Sequence, residues 1–435
     1  MLGFVTLFLA LGTQIGLLIY RLITKDRQTR ALHLLRIGAF AAFSILLLAG
    51  VYWWGFRWVG LFALLGILAA ISAVSLLRPR SGKSEKPFKR RIAVLRCING
   101  CLLLAFCILP GMLFPQSPAL QPTGGYDVAS HSVTYVDAAR KDPFSTEGES
   151  RKLTVQLWYP ANADSSVTYP LVVFSHGSFG YRGSNRSTFE DLASNGYVVC
   201  SIDHSSHSFF AQHTDGSTTI VNTAFLNDVL QATNDEFDAR TTYEKSREWL
   251  DLRCADMNFI LDEILRNADG KIPLPVHSLI DTGKVGLFGH SLGGATAAQL
   301  GREREDVDAV IVVDGTMLGE EIGFEDGQPV QNPQPYPVPL LNLYNESHYT
   351  QAQQLGTAYD NLSASALASE SYDVMIKGSG HLNFTDLPLF SPPLAAMLGT
   401  GSVDSRTCIQ TMNRVTLDFF NHTLKGADLR LEPAY

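Results

Sequence analysis

The sequence predicts an α/β fold, a mainly parallel central sheet with helices on both faces, preceded by an α-helical bundle of four transmembrane spans. Three observations predict it: four long, nearly uncharged runs in the first 114 residues, short β-prone runs alternating with helical stretches beyond residue 126, and a reversal of net charge between the two regions.

The apolar runs cover residues 2–20, 37–54, 58–77 and 92–114. At about 1.5 Å per residue, a helix of roughly twenty residues crosses about 30 Å of hydrocarbon. A helix buried in a soluble core keeps a polar stripe, and these runs have almost none. Orientation follows from lysine and arginine, which stay on the cytoplasmic side of a span. The first connection carries Arg21, Lys25, Arg27, Arg30 and Arg36; the third carries Arg78, Arg80, Lys83, Lys86, Lys89, Arg90 and Arg91. The second holds only Arg57, set among Tyr52, Trp53, Trp54 and Trp58 as in an interfacial aromatic belt. Both termini are therefore expected outside the cytoplasm, in a multi-pass protein of the cell membrane whose acidic body is extracytoplasmic. Thr13, Gln14, Arg96 and Asn99 are the main polar groups within the spans, which argues against a transport path.

Residues 1–125 hold 14 of the 34 basic side chains but only Asp26 and Glu85 among acids, a balance of +12 that leaves −20 on the remainder. So acidic a body lacks the positive face that phosphates need, and no nucleic-acid partner is expected. Cys97, Cys101 and Cys107 fall in the fourth apolar run, where a thiol serves as a small hydrophobe. Cys200, Cys254 and Cys408 lie in the acidic body and allow one disulfide outside the cytoplasm.

Pro115, Pro118, Pro122, Gly124 and Gly125 end the last span. The expected organisation is a membrane domain over 1–114, a linker over 115–125 and a catalytic domain over 126–435. In that last region 153–159 alternates as an outer strand would, while 171–174, 197–202, 285–288, 307–313, 340–344 and 372–376 are short apolar runs suited to buried strands. Helices are expected at 251–266, 295–303 and 408–424.

The strand ending at Phe288 runs into Gly289-His290-Ser291-Leu292-Gly293-Gly294 and then a helical alanine-rich stretch. This is a G-x-S-x-G elbow in the strand–turn–helix setting of the α/β-hydrolase fold. Glycines flank the turn because a Cβ there collides with backbone, and the bend lifts Ser291 Oγ out as a nucleophile. Acyl transfer also needs donors where the oxyanion forms. The loop Ser175-His176-Gly177-Ser178-Phe179-Gly180 follows a strand, and its Ser178 amide, with that of Leu292, is the candidate oxyanion hole. His381, after Lys377-Gly378-Ser379-Gly380, is the candidate base. Two carboxylates compete to orient it: Asp314, at the end of the 309–313 run, and Glu346, one strand later.

At Leu157-Trp158-Tyr159-Pro160, Phe174-Ser175-His176-Gly177, the elbow, Asp314-Gly315 and Gly378-Ser379-Gly380-His381-Leu382-Asn383-Phe384, the chain resembles the type II platelet-activating-factor acetylhydrolases, secreted and intracellular, and related bacterial α/β-hydrolases. The resemblance implies that the acid comes from the strand directly after the nucleophile's, hence Asp314 before Glu346. It also implies Ser178 and Leu292 as oxyanion donors, no metal and no cofactor, and hydrolysis of short or oxidised acyl esters. The chain departs from the animal enzymes in its four spans and over 205–245, so a general carboxylesterase stands beside a phospholipid hydrolase.

The expected function is thus a serine carboxylic-ester hydrolase working through an acyl-enzyme on Ser291, with an ester or lipid substrate. The alternatives are an acyltransferase using the same triad and a non-catalytic binding domain of α/β-hydrolase type. His204, His207 and His213 are read as a polar loop near the pocket rather than a zinc site, and Phe179, Phe209, Phe210, Met317 and Phe384 as candidate acyl-pocket lining.

Overall fold

A computed structural model describes residues 2–25, 29–78, 88–162, 164 and 166–435. Arg27, Arg80, Lys83 and Lys86, on which part of the expected orientation rests, lie outside the described residues. The chain forms two compact units, Met1–Pro118 with Leu389–Met397, and Ala119–Pro388 with Leu398–Tyr435.

The first unit contains α1 (Leu2–Thr24), α2 (Thr29–Leu48), α3 (Phe56–Leu77) and α4 (Arg90–Leu113). Their mean hydropathies of 2.0 to 2.4 and their lengths suffice to cross a membrane. Helix α2 stops short of residue 54 because Gly50 turns the chain with φ 73°, leaving Tyr52 to fold back against Phe43 and Trp58. Small residues let the helices approach: a Cβ on Gly111 would lie 2.6 Å from the Trp58 ring, and one on Gly3 would lie 2.5 Å from Gly111 O. Phe8, Leu9, Ile23, Leu48, Leu77 and Phe106 are exposed, an apolar surface that a helix could present to hydrocarbon because its backbone is bonded internally.

The second unit is built on an eight-stranded sheet: β1 (Val128–Lys141), β2 (Ser150–Pro160), β3 (Tyr169–Ser175), β4 (Val198–Asp203), β5 (Ile280–His290), β6 (Ala309–Val313), β7 (Leu340–Asn345) and β8 (Ser371–Ile376). The spatial order is β1-β2-β4-β3-β5-β6-β7-β8. The β1–β2 and β2–β4 pairs are antiparallel and the remaining pairs parallel, as crossover helices require. Five helices concern the site: α5 (Arg186–Ser194), α6 (Ala239–Arg266), α7 (Leu292–Glu303), α8 (Glu346–Leu355) and α9 (Ser405–Lys425).

The inner strands read as continuous apolar runs because both faces are covered. Leu171, Val173, Val285, Leu287, Val310 and Val312 share a core with Leu250, Met257, Ile260 and Leu261 of α6 and the alanines of α7. The alternate residues face the other way, where Phe174 and Phe288 meet Phe189 of α5, and Phe288 meets Phe420 of α9. Helix α6 begins at Ala239 rather than at 251, since Asp238 caps it by accepting from Thr241 N at 2.7 Å.

Residues 119–125, within the expected linker, belong to this unit. Thr123 N donates to Asp191 Oδ1 at 2.7 Å, and Tyr126 N donates to Ser194 O at 3.0 Å. Cys200, Cys254 and Cys408 are buried and unpaired, so the disulfide the sequence allows is not formed.

Phe288 has ring centroids 4.6 Å from Phe174, 6.1 Å from Phe189 and 6.2 Å from Phe420. Phe288→Ala should therefore cost about 3–5 kcal/mol, read as a lower urea midpoint for the detergent-solubilised chain; an unchanged midpoint would contradict this packing.

Candidate active site

Strand β5 ends at His290 and α7 starts at Leu292, so Ser291 makes the whole turn. Its backbone sits at φ 56°, ψ −125°, a region that costs a non-glycine residue roughly 1–3 kcal/mol. The surroundings hold it there: Ser291 N donates to Val313 O at 2.8 Å, and Ser291 O accepts from Gly294 N at 2.8 Å. A Cβ on Gly289 would lie 2.1 Å from Gly293 O, and one on Gly293 2.0 Å from Ser175 O. A serine before a helix ordinarily spends its hydroxyl on capping, but Ser291 makes no side-chain cap bond, leaving Oγ available for chemistry.

Asp314 follows β6, with its side chain buried and its backbone at φ 50°. Four donors meet the carboxylate: His381 Nδ1 at 2.6 Å and Asn345 Nδ2 at 2.6 Å on Oδ2, with His348 Nδ1 at 2.9 Å and Asn345 N at 2.8 Å on Oδ1. Burial pushes the carboxyl up, but the hydrogen bonds and charges of His348 and His381 outweigh it and hold the group well below the usual carboxylate range. An ionised carboxylate only accepts, so His381 carries its proton on Nδ1 and leaves Nε2 as the basic atom.

The His381 loop is pinned from behind. Asn383 Oδ1 accepts from Gly380 N at 2.8 Å and from Gly401 N at 2.7 Å. His290 Nε2 lies 3.1 Å from His381 O, with ring centroids 4.5 Å apart. Burial first, then the proximity of His381, pushes His290 down to about 3, so this ring is neutral and Nε2 donates.

Ser291, Asp314 and His381 all line one cavity of about 340 Å³, together with Ser178, Leu292 and Trp249. The candidates at 178, 291, 292, 314 and 381 are thus brought together. Glu346 is not: it is exposed at the start of α8, and its Oε2 accepts from Gly378 N at 2.8 Å, so it supports the His381 loop and does not touch the imidazole. A larger depression of about 710 Å³ lies beside Glu346, Thr350, Gly378 and Ser402 and contains none of Ser291, Asp314 and His381.

Leu292 is the first residue of α7, and a helix's first amides have no partner within it. The Ser178 amide has no protein acceptor among the described residues. The apolar wall differs from the expected one. Met317 and Phe384 are fully buried and Phe209 is exposed, whereas Trp249, Leu292 and Leu318 line the cavity, with Phe179, Phe225 and Val229 packed alongside.

His204 and His207 are buried beneath the 175–180 loop, and His213 bridges Thr154 and Thr219 at 2.8 and 2.9 Å. Among the described residues no group of His, Cys, Asp or Glu side chains is arranged to hold a metal ion. Sequence reasoning missed Asn345, His348, His290 and Trp249. Asn345 did carry a signal, standing as a cap residue at the end of a β run and before a helix; it accepts from His348 N at 2.9 Å.

A mainly parallel sheet with a serine raised at one strand's carboxyl end and a histidine after the last strand defines an α/β-hydrolase. The chain matches the family model described as platelet-activating factor acetylhydrolase, isoform II, over residues 150–430, and it belongs to that family.

Over 288 residues it is 26% identical to the platelet-activating factor acetylhydrolase of Bos taurus, covering 62% of this chain and 61% of that one. It is 24% identical to the probable 1-alkyl-2-acetylglycerophosphocholine esterase of Arthroderma benhamiae, covering 60% and 62%. The chain thus spans about three fifths of the length of the curated relatives it matches. A ferulic acid esterase from Streptomyces cinnamoneus shares the fold with a TM-score of 0.55 at 22% identity, over 72% of this chain and 94% of that one.

Burial opposes the charged imidazolium, and His204, like His290, is pushed down, to about 4. The ring signals of both should therefore stay those of neutral imidazole from pH 8 to pH 5 in histidine-selective NMR. A midpoint near 6.5 for either ring would mean that it is solvated.

Proposed function

We propose that the chain is a serine carboxylic-ester hydrolase for short or oxidised acyl esters, including phospholipids of platelet-activating-factor type. The observation that carries this reading is the convergence of Ser291, Asp314 and His381 on one cavity, with His381 Nδ1 2.6 Å from Asp314. Relatives named for the hydrolysis of platelet-activating factor and of 1-alkyl-2-acetylglycerophosphocholine supply the substrate class.

In this mechanism His381 Nε2 takes the proton from Ser291 as Oγ attacks the ester carbonyl. Negative charge builds on the former carbonyl oxygen and is met by the amides of Ser178 and Leu292, aided by the positive end of α7. Collapse of the intermediate leaves the acyl group on Ser291, and His381 hands its proton to the departing alcohol. Water then enters by the same route, with His381 again as base, and releases the acid. Asp314 stays ionised throughout and stabilises the imidazolium. A cavity of about 340 Å³ backed by Trp249 and Leu318 suits a short acyl chain better than a long one.

The four apolar helices would anchor the enzyme in the cell membrane, with the hydrolase unit on the extracytoplasmic side. Support comes from the basic residues of the first and third connections and from the aromatic second connection.

Ser291→Ala should abolish turnover of short p-nitrophenyl esters and labelling by a fluorophosphonate. Asp314→Asn should lower kcat roughly 10³- to 10⁴-fold, while Glu346→Gln should stay within about threefold of wild type, as a surface change does. Activity surviving Ser291→Ala would end the proposal, and a greater loss from Glu346→Gln than from Asp314→Asn would reassign the acid. For topology, a cysteine at the exposed Glu147 should react with a membrane-impermeant maleimide in intact cells; reaction only after lysis would put the unit in the cytoplasm.

A further inference from the structure

Beneath the 175–180 loop lies a buried polar network set apart from the cavity. Arg253 of α6 is fully buried, with one terminal guanidinium nitrogen donating to His176 O and the other 3.4 Å from Gly177 O. Asp256, one turn further on, takes Arg151 in a two-point pair at 3.0 and 2.7 Å and Arg140 at 3.0 Å. His204 joins this pair to the loop: its Nδ1 lies 3.2 Å from Asp256 Oδ2 and its Nε2 2.9 Å from Ser175 Oγ. His176 is held by Ser208 Oγ at 2.7 Å.

Ser175, His204 and Asp256 repeat the order of groups in a serine–histidine–aspartate relay. All three side chains are completely buried, however, so no ester can reach Ser175. The relay's value is mechanical. Two buried arginines carry a desolvation cost that ion pairs and hydrogen bonds must offset.

A trans peptide is planar, so its carbonyl and the following N–H point in opposite directions. The Gly177 carbonyl is turned inward, where it accepts from His176 Nδ1 at 2.7 Å and faces the Arg253 guanidinium at 3.4 Å, so the Ser178 N–H of the same peptide is turned outward, and Ser178 lines the cavity. The loop has little freedom to do otherwise, since Gly180 N donates to Gly177 O at 3.1 Å and Phe179 sits at φ 63°. A guanidinium suits the task because its rigid fork reaches two acceptors at once, whereas an ammonium is a point charge.

We infer that Arg253 is a positioning residue for ester hydrolysis: by gripping the carbonyls of His176 and Gly177 it aims the Ser178 amide at the developing oxyanion. The inference rests on Ser291 as nucleophile with Ser178 in the oxyanion hole. Ser208 acts on the same loop through His176, and Asp256 with Arg151 fixes the base from which Arg253 and His204 reach it.

The test uses the full chain in detergent, p-nitrophenyl acetate as substrate, and a trifluoromethyl ketone whose adduct on Ser291 carries the oxyanion. Active sites are first counted by fluorophosphonate labelling run to completion, so that kcat refers to folded enzyme alone. Arg253→Met should lower kcat roughly 10²- to 10³-fold, as losing one oxyanion donor does, with KM within about threefold and the ketone's Ki raised by the same factor as kcat falls. Arg253→Lys should fall between, and Ser208→Ala should shift kcat and Ki together by a smaller factor. Wild-type kcat per site and wild-type Ki in Arg253→Met would overturn the inference, even if fewer sites were labelled. Should Arg253→Met fail to fold, unchanged kcat and Ki in both Arg253→Lys and Ser208→Ala would overturn it equally. Turnover by Ser291→Ala would instead defeat the hydrolase reading itself.

Discussion

Everything at this site depends on a backbone crossing that only glycine permits. Ser291 occupies a strained conformation because β5 and α7 meet with Gly289 against Gly293 and with Gly293 against Ser175 O. The neighbouring strand closes the crossing: a Cβ on Gly315 would lie 2.3 Å from Ser291 O, so the acid-bearing turn and the serine turn touch backbone to backbone. The same crossing sets the Ser291 turn against the Asp314 turn, and both side chains line the cavity that His381 also lines.

Electrostatics follow from that geometry. A carboxylate this deeply buried would ordinarily take up a proton, and Asp314 stays charged because four donors reach it. Two of them come from Asn345, whose side chain also caps α8, so the helix start and the acid's orientation are one structural decision. His348 gives the carboxylate a second imidazole and is itself joined to Tyr359, which lies 2.9 Å from Thr316 on the cavity wall. Oxygen Oδ2 is shared between Asn345 and His381, and this limits the directions in which the His381 ring can lean.

Much of this was legible in the sequence. The buried strands announced themselves because a strand covered on both faces must be apolar throughout, and the elbow because its steric demand leaves few residue choices. Helix α6 was only half visible: its first turns are charged on most sides, with Arg240 near Glu244 and Lys245 on Asp228, and present no apolar stripe. Separating Asp314 from Glu346 needed three dimensions, since each follows an apolar β run in the sequence and only the fold sets Asp314, and not Glu346, against the His381 ring. The apolar wall was misjudged for a related reason. Aromatic residues near the motif in sequence, such as Phe384, fill the core, while Trp249 comes from a distant helix whose register nothing local specifies.

Helix α6 shows how several demands fall on one element. Trp249 faces the cavity, Arg253 lies one turn below on the same side beneath the 175–180 loop, and Asp256 and Met257 lead on into the ion network and the core. A lateral shift of this helix would move Trp249 of the cavity wall and the guanidinium facing the Gly177 carbonyl together, and in the proposed mechanism reacting groups lose rate steeply when displaced by about 1 Å. An apolar anchor in place of the network would resist separation but not sliding. Paired guanidinium and carboxylate groups are directional, and the two-point contact of Arg151 with Asp256 fixes α6 against β2 along the helix axis as well as across it. Buried charge beneath the 175–180 loop thus acts as a locating pin: it fixes the position of α6 and, in the proposed mechanism, through it the direction of one backbone amide.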